Sequence, residues 1–336
     1  MKLIIHTYNL ILAHTFTITH GSRKSQPGII VELQDKGYSA FGEAAATSYY
    51  GLTMESMVAK LEAMRPIIES TEIENPEAFW QQMQPHFEGH PFELCALDVA
   101  VHDLYGQIQG KPTYKIWHLE TQNLPISNFT IGLDSIENMI QKMDDMPWPI
   151  YKIKLGTDHD LAIIRALRKH TNAIFRVDAN TAWTVEETIK NAPELKELGV
   201  QFIEQPLKAD DWAGLKELQK HSVLPIIADE SCQTEADVEK CHGHFHGINI
   251  KLTKCGGLTP ARRMIKRGRE LNMKIMVGCM TESSIGISAI AHLLPLLDYV
   301  DMDGALLLKK DIAEGVIVQT NGVIYTDRNG IGGRLI

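Results

Sequence analysis

The chain has 336 residues, of which 44% are hydrophobic and 22% are charged, a composition that excludes disordered, fibrous and collagen-like proteins. Its formal net charge is −9, from 33 Lys and Arg against 42 Asp and Glu, which argues against nucleic acid or an acidic membrane surface as the main partner. We therefore expect a globular protein of about two domains that binds a small molecule.

Cysteine content and hydropathy indicate the compartment. The chain has five cysteines, with no C-x-x-C pair among them, which is typical of a reduced, cytoplasmic protein. The most apolar stretch, at 287–297, contains His292 and Pro295 and is shorter than the ~18 residues that span a bilayer. Polar residues also interrupt any signal-peptide core near the N-terminus. We expect a soluble, cytoplasmic protein without a membrane partner.

The first 110 residues predict a sheet followed by helices. Strand-like runs occupy 2–10, 29–33 and 38–44, with a polar interruption at 20–28, and they predict an antiparallel sheet. At Thr53, which suits a helix N-cap, the apolar period becomes helical through Met64. A second helix is predicted over 92–109, where Gly110 and Pro112 end it.

From residue 128 onward, β-rich runs recur at intervals of roughly 25 residues, the length of one strand, one crossover helix and two loops. Eight such units predict a closed (β/α)8-type barrel. A Gly-rich phosphate motif does not follow the first strand, which disfavours a dinucleotide-binding fold. The predicted strands are 128–132, 151–155, 174–180, 201–206, 225–231, 248–252, 274–279 and 299–304.

Three acidic residues end successive strands of this predicted barrel: Asp178, Glu204 and Asp229. Strand ends converge at one mouth of a parallel barrel, so these carboxylates can share a cation. Hard oxygen ligands without His or Cys indicate Mg²⁺ or Mn²⁺. Each acid taken alone also suits a helix cap or a salt bridge.

Lysines flank the acids on both sides. Lys152 and Lys154 alternate by two on the second strand and therefore point to the same side, while Lys251 ends the sixth strand, across the barrel. A buried lysine beside another cation and a metal has a lowered pKa and can act as a base near neutral pH. A single lysine at a strand end is otherwise solvated or paired with a carboxylate.

The ordered motifs K-x-K, D-x-N, E-Q-P, D-E-S and I-K-L resemble the enolase superfamily, in its muconate-lactonizing subgroup. Two further stretches, 93–112 and 328–335, are similar to the last capping-domain helix and the Gly-rich C-terminal return of that family. The resemblance implies a (β/α)7β (modified TIM) barrel over 119–310. It also implies an α+β capping domain formed by 1–118 and completed by the C-terminal tail at 311–336.

The resemblance also implies a chemistry. One Mg²⁺ per subunit, held by Asp178, Glu204 and Asp229, binds a substrate carboxylate while a lysine removes the adjacent α-proton, and the metal stabilises the resulting enediolate. Two lysines on opposite faces, Lys154 and Lys251, suit inversion at carbon, whereas a single base suits elimination or cycloisomerisation. The alternatives are therefore a lyase or cycloisomerase, of the o-succinylbenzoate synthase or muconate cycloisomerase type, and a non-catalytic peptide binder.

The D-x-D motif of Asp301 and Asp303 favours one branch of the family. Two carboxylates at the mouth would hold a primary ammonium, and the motif resembles the dipeptide epimerases, where it binds the free amino group of the substrate. Helix capping is the alternative for this pair. The resemblance therefore implies an isomerase that inverts the C-terminal α-carbon of a dipeptide, of the L-Ala-L-Glu type or related, in peptidoglycan-peptide metabolism. We also expect a homo-oligomer.

Further residues are candidates for substrate contact or support. Lys152 is expected to contact the substrate carboxylate and to lower the pKa of its neighbour. A basic loop suits an acidic side chain, although neutral and hydrophobic dipeptides remain open. The other candidates for substrate binding are His20, Arg23, Thr130, Thr281 and Ser283, and those for a supporting role behind the ligands are Asn180 and Glu230. Glu230 follows Asp229 on an extended strand, so its side chain is expected to point the other way.

Overall fold

The computed structural model describes residues 1–19 and 21–336. Within that part of the chain, the N-terminal region forms the predicted antiparallel sheet, in the order β1 (Lys2–Ile18), β2 (Gly21–Asp35) and β3 (Tyr38–Ala45). The interruption expected over 20–28 is wrong from Gly21 onward, because β2 pairs with β1 as far as Gly21 opposite Ile18. An antiparallel ribbon with one wet face accepts these polar residues.

Helices cover this sheet. Thr53 caps the first one, where its hydroxyl accepts from the backbone N–H of Ser56, and both predicted helices are present. A further helix begins after Asn75, with Pro76 at its first position, and sequence periodicity missed it because it spans only two turns. The helices are α1 (Met54–Ser70), α2 (Pro76–Met83), α3 (Pro91–Ile108) and α4 (Thr113–Ile116).

A parallel sheet of eight strands occupies the described chain from Phe129 to Asp301, with its strands in sequential order. A parallel bridge between Ser127 and Val300 brings the last strand beside the first, so the sheet closes as the predicted barrel. The strands are β4 (Phe129–Ile131), β5 (Ile150–Lys154), β6 (Ile174–Asp178), β7 (Val200–Glu204), β8 (Ile226–Ala228), β9 (Gly247–Lys251), β10 (Lys274–Gly278) and β11 (Tyr299–Asp301).

Each connection between consecutive barrel strands contains at least one helix, which makes the (β/α)7β topology. These helices bury apolar stripes against the strands. They are α5 (Ile136–Asp145), α6 (Asp160–His170), α7 (Val185–Glu197), α8 (Trp212–His221), α9 (Glu235–Cys241), α10 (Leu252–Cys255), α11 (Leu258–Glu270) and α12 (Ser284–Ala291). Across residues 1–19 and 21–336, none of the helices combines the length and the apolar character that crossing a bilayer requires.

The C-terminal segment returns to the N-terminal region. The buried carboxylate of Asp103, on α3, accepts from the backbone N–H groups of Phe41 and Ile331, at 2.9 and 2.8 Å. The expected boundary between residues 118 and 119 stays a prediction, although this contact agrees with a tail that completes the cap. The segment contains β12 (Ala313–Glu314), β13 (Ile317–Gln319), β14 (Gly322–Ile324) and β15 (Arg334–Leu335).

One buried carboxylate fastens the cap to the barrel. Asp98, on α3, accepts from the backbone N–H of Thr259 at 2.9 Å and from its hydroxyl at 2.7 Å. We expect Asp98→Ala to lower the free energy of unfolding by about 2–3 kcal/mol, because the buried N–H of Thr259 loses its acceptor. Urea unfolding measures this. Asp158→Ala, at an exposed position, is the control and should change the free energy of unfolding by less than about 0.5 kcal/mol. An equal loss of unfolding free energy in the two variants would show that Asp98 does not stabilise the contact between cap and barrel.

Candidate active site

A cavity lies at the carboxyl ends of the barrel strands, beneath two segments of the cap. The ends of parallel strands all meet at this mouth, which is where sites in such barrels form. From the cap, Phe16, Ile18 and residues 21–23 line one side and residues 47–50 line another. The barrel contributes Thr130, Lys152, Lys154, Asn180, Glu230, Lys251, Cys279, Met280, Thr281, Asp301, Asp303 and Leu307.

The three predicted metal ligands come together beside this cavity. Asp178 ends β6, Glu204 ends β7, and Asp229 follows β8 directly. All three are buried, and one carboxylate oxygen from each lies within 4.8 Å of the others. An all-oxygen set of buried carboxylates fits Mg²⁺, which prefers hard ligands. These residues would therefore hold the ion.

The three lysines predicted from the sequence lie against these carboxylates. The ammonium of Lys152 is 2.8 Å from Glu204 and 3.2 Å from Asp178. Lys154 reaches the same oxygen of Asp178 at 2.7 Å, so the two alternating lysines point to one side as predicted. Lys251 lies 2.7 Å from Asp229. The cluster thus has Lys154 on its β5 side and Lys251 on its β9 side.

The charges of this cluster set the pKa values of the lysines. Burial by itself would lower the pKa of Lys251, but the carboxylate of Asp229 raises it well above the ordinary value. The pKa of Lys152 is likewise raised, since Asp301, Glu204 and Asp178 outweigh its burial. The expected lowering concerns a lysine beside a bound metal ion, so it stays a prediction. The charge of Lys152 opposes this rise at Lys251, because a neighbouring ammonium lowers the pKa.

Two residues that contact the predicted metal ligands were not identified from the sequence. Lys254, in α10, donates to the Asp229 carboxylate at 2.7 Å and to its backbone carbonyl at 2.5 Å. Asn249, two positions before Lys251, donates to Glu204 at 2.8 Å. The period of two along β9 could have predicted that Asn249 faces inward. No comparable signal exists for Lys254, because a turn after the strand sets its direction.

The D-x-D pair lies beside Lys152 at the end of β11. Asp301 accepts from the side-chain amide of Asn128 at 2.7 Å and pairs with Lys152 at 2.9 Å. Asp303 accepts from the backbone N–H of Thr130 at 2.5 Å. Burial, together with the charge of Asp301, raises the pKa of Asp303 to about 8. Both carboxyl groups line the cavity, so they can meet a cationic group of a ligand there.

Glu230 faces the cavity rather than away from it. The predicted strand continues through this residue, but β8 ends at Ala228, so the alternation of side chains along a strand does not set its direction. Its carboxylate accepts from the side-chain amide of Asn180 at 3.4 Å. Both residues line the cavity, and Glu230 directly follows the predicted metal ligand Asp229.

The remaining predicted contacts divide into two groups. Arg23 donates to the hydroxyl of Thr281 at 2.9 Å, and both residues line the cavity with Thr130. Ser283 does not line the cavity, so its predicted contact with the substrate is wrong. This residue caps α12 instead, and its hydroxyl donates to the buried carboxylate of Glu43. His20 lies outside the described residues.

Comparison with known proteins gives the family. Residues 2–117 match the N-terminal domain of the mandelate racemase / muconate lactonizing enzyme family, and residues 135–335 match the enolase C-terminal domain-like family. The L-Ala-D/L-amino acid epimerase of Flavobacterium johnsoniae is 57% identical over 336 residues, which is 100% of both chains.

Two solved structures are similar throughout. The substrate-liganded L-Ala-D/L-Glu epimerase of Bacillus subtilis has a TM-score of 0.93 at 26% identity, covering 99% of this chain and 98% of that one. The dipeptide epimerase of Methylococcus capsulatus, in complex with Mg and L-Arg-D-Lys, has a TM-score of 0.92 at 30% identity, covering 99% of both. The chain belongs to the mandelate racemase / muconate lactonizing enzyme family, in the enolase superfamily.

Proposed function

We propose that this chain inverts the second α-carbon of an L-Ala dipeptide by proton transfer between Lys154 and Lys251. The names of its relatives and the Mg and dipeptide ligands of the related solved structures support a Mg²⁺-dependent dipeptide epimerase, which is an isomerase. The observation that carries the two-base mechanism is the placement of these lysines, one against Asp178 and the other against Asp229. A substrate carbon between them presents one face to each ammonium.

The residues divide the work as follows. Bound at the three carboxylates, Mg²⁺ supplies positive charge that acidifies the α-proton of a substrate carboxylate. The neutral amine of Lys154 or Lys251, depending on the configuration, takes that proton and becomes an ammonium, and the ammonium of the other lysine delivers a proton to the opposite face. Lys152 holds its charge beside Glu204 and Asp301, where it can also contact the substrate carboxylate.

The D-x-D pair supports a dipeptide with a free amino group. We expect Asp303→Asn to raise the KM of L-Ala dipeptides about 10- to 100-fold. This factor corresponds to the loss of one charge-assisted hydrogen bond between the carboxylate and the substrate ammonium. Steady-state kinetics measures it, with Asp158→Asn as a matched exposed control. If Asp301→Asn and Asp303→Asn both leave KM unchanged, the ammonium assignment is wrong.

The substrate class follows from the same arrangement and from the relatives. The Flavobacterium johnsoniae relative carries the name of an L-Ala-D/L-amino acid epimerase, so we propose L-Ala first and a broad choice of second residue. Arg23 lines the cavity, and its positive charge would accept a second residue with an acidic side chain as well. Chiral chromatography of L-Ala-L-Glu and L-Ala-L-Met after incubation with the enzyme tests this. Conversion of neither dipeptide to its L,D diastereomer would contradict the proposal.

Two features favour epimerisation over the lyase or cycloisomerase alternative. Elimination needs a single base, whereas lysines lie on both sides of the carboxylate cluster. A substrate without an ammonium would also leave Asp303 facing the cavity with no cation to meet. The homo-oligomer and the cytoplasmic location stay predictions; light scattering after gel filtration tests the first.

A further inference from the structure

A second cavity, of about 220 Å³, adjoins the first. Most of its lining residues are apolar, among them Leu12, Phe129, Met146 and Leu306, and the polar ones include His14, Lys142 and Asp145. Phe16, Thr130 and Leu307 line both cavities. These three residues therefore form the wall between the active site and the second cavity; we call them the partition.

A bulge in β1 makes room for the second cavity. The register of β1 on β2 shifts between Ile11 and Phe16. In this interval Leu12 forms a bridge with Leu308, and the carbonyl of Ile11 accepts from the backbone N–H of Lys309 at 2.8 Å. The strand thus leaves its partner and crosses to the segment that follows Asp303. The second cavity is lined by this stretch of β1, by β4 and by the C-terminal end of α5.

The partition lies beside the position proposed for the first residue of the dipeptide. Its ammonium would meet Asp303, whose carboxylate accepts from the N–H of Thr130, a partition residue. The chain then runs from Asp303 through Gly304–Leu307 to Leu307, another partition residue. In the proposed function the α-carbon of the second residue would instead lie between Lys154 and Lys251, neither of which is a partition residue. A first side chain longer than a methyl group would therefore meet the partition.

We propose that Phe16 and Leu307 set the size limit for the first residue of the substrate, and that the apolar cavity behind them is a latent subsite for an apolar first side chain. The inference rests on the proposed function and deepens it. Both side chains are partly buried rather than part of the fully buried core, so they can be shortened without emptying that core.

The test uses two partition variants, Phe16→Ala and Leu307→Ala, with L-Ala-L-Met and L-Leu-L-Met as substrates. In each variant, the kcat/KM for L-Leu-L-Met divided by the kcat/KM for L-Ala-L-Met should rise about tenfold or more. The reason is that the extra methylene and methyl groups of the leucine side chain can then enter an apolar cavity. Leu307→Ala is needed because Phe16 also packs under Arg23. Ile18→Ala is the control: it shortens a side chain of the same strand that lines only the first cavity, and it should leave the ratio unchanged.

The outcomes separate the inference from the proposed function. An active wild-type enzyme whose ratio changes in neither partition variant overturns the inference alone, as does an equal rise in Ile18→Ala. A wild-type enzyme that epimerises neither dipeptide overturns the proposed function and, with it, this inference. Circular dichroism confirms that each variant is folded before its ratio is compared.

Discussion

Lys154→Met and Lys251→Met are each expected to lose epimerisation by at least about 10³-fold, which is the scale of a positioned acid–base group. Each variant should nevertheless exchange the α-proton of one epimer with D₂O. The remaining lysine can remove a proton only from the face it contacts, and the two lysines lie against different carboxylates of the cluster, Asp178 and Asp229. The two variants should therefore exchange opposite epimers.

Proton NMR of L-Ala-L-Met and L-Ala-D-Met in D₂O measures both effects. Lys240→Met is the matched control, since Lys240 is exposed on α9 and pairs only with Asp237, in the part of the chain that the structure describes. It should keep full activity. A two-base mechanism is wrong if either active-site variant still interconverts the diastereomers at the wild-type rate, or if both variants exchange the same epimer.

Removal of the metal should have a comparable effect. Glu204→Gln keeps the shape of a buried ligand but removes one of the three negative charges that converge there. We expect Mg²⁺ affinity to fall at least about 100-fold, because even residues behind metal ligands cost 10–100-fold. Isothermal titration calorimetry reads this without reference to activity, and EDTA should abolish wild-type turnover until Mg²⁺ is restored.

Glu217→Gln, on the exposed face of α8, controls for the change from carboxylate to amide. It should bind Mg²⁺ with unchanged affinity. Unaltered Mg²⁺ binding in Glu204→Gln, or full turnover in excess EDTA, would show that the three carboxylates are not the metal site. The lysines that now balance these carboxylates would then have a purely structural role.

The barrel and the centre of its site could be predicted because both follow from regular spacing. Each βα unit repeats at nearly the same interval, and parallel strand ends must converge, so Asp178 and Glu204 are adjacent in the register of β6 and β7. Lys152 and Lys154 follow from the period of two. These inferences need only local geometry, and the structure places all four side chains together.

Predictions that depend on where a strand ends, or on packing between distant segments, were less successful. Glu230 was expected to point away because β8 was assumed to continue, and it ends at Ala228. Ser283 was expected to contact the substrate, but its hydroxyl donates to the carboxylate of Glu43, which lies 240 positions earlier in the chain. The partition likewise joins β1 to the segment after β11. Such contacts arise only when the cap meets the barrel, and no local pattern encodes them.

The most direct test of the central claim is proton NMR of the wild-type enzyme with Mg²⁺ and L-Ala-L-Glu or L-Ala-L-Met in D₂O. The account predicts loss of the α-proton signal of the second residue, growth of the L,D diastereomer, and an unchanged α-proton of the alanine. No exchange in any L-Ala dipeptide, together with turnover of a cyclohexadiene carboxylate, would contradict it and establish the lyase instead.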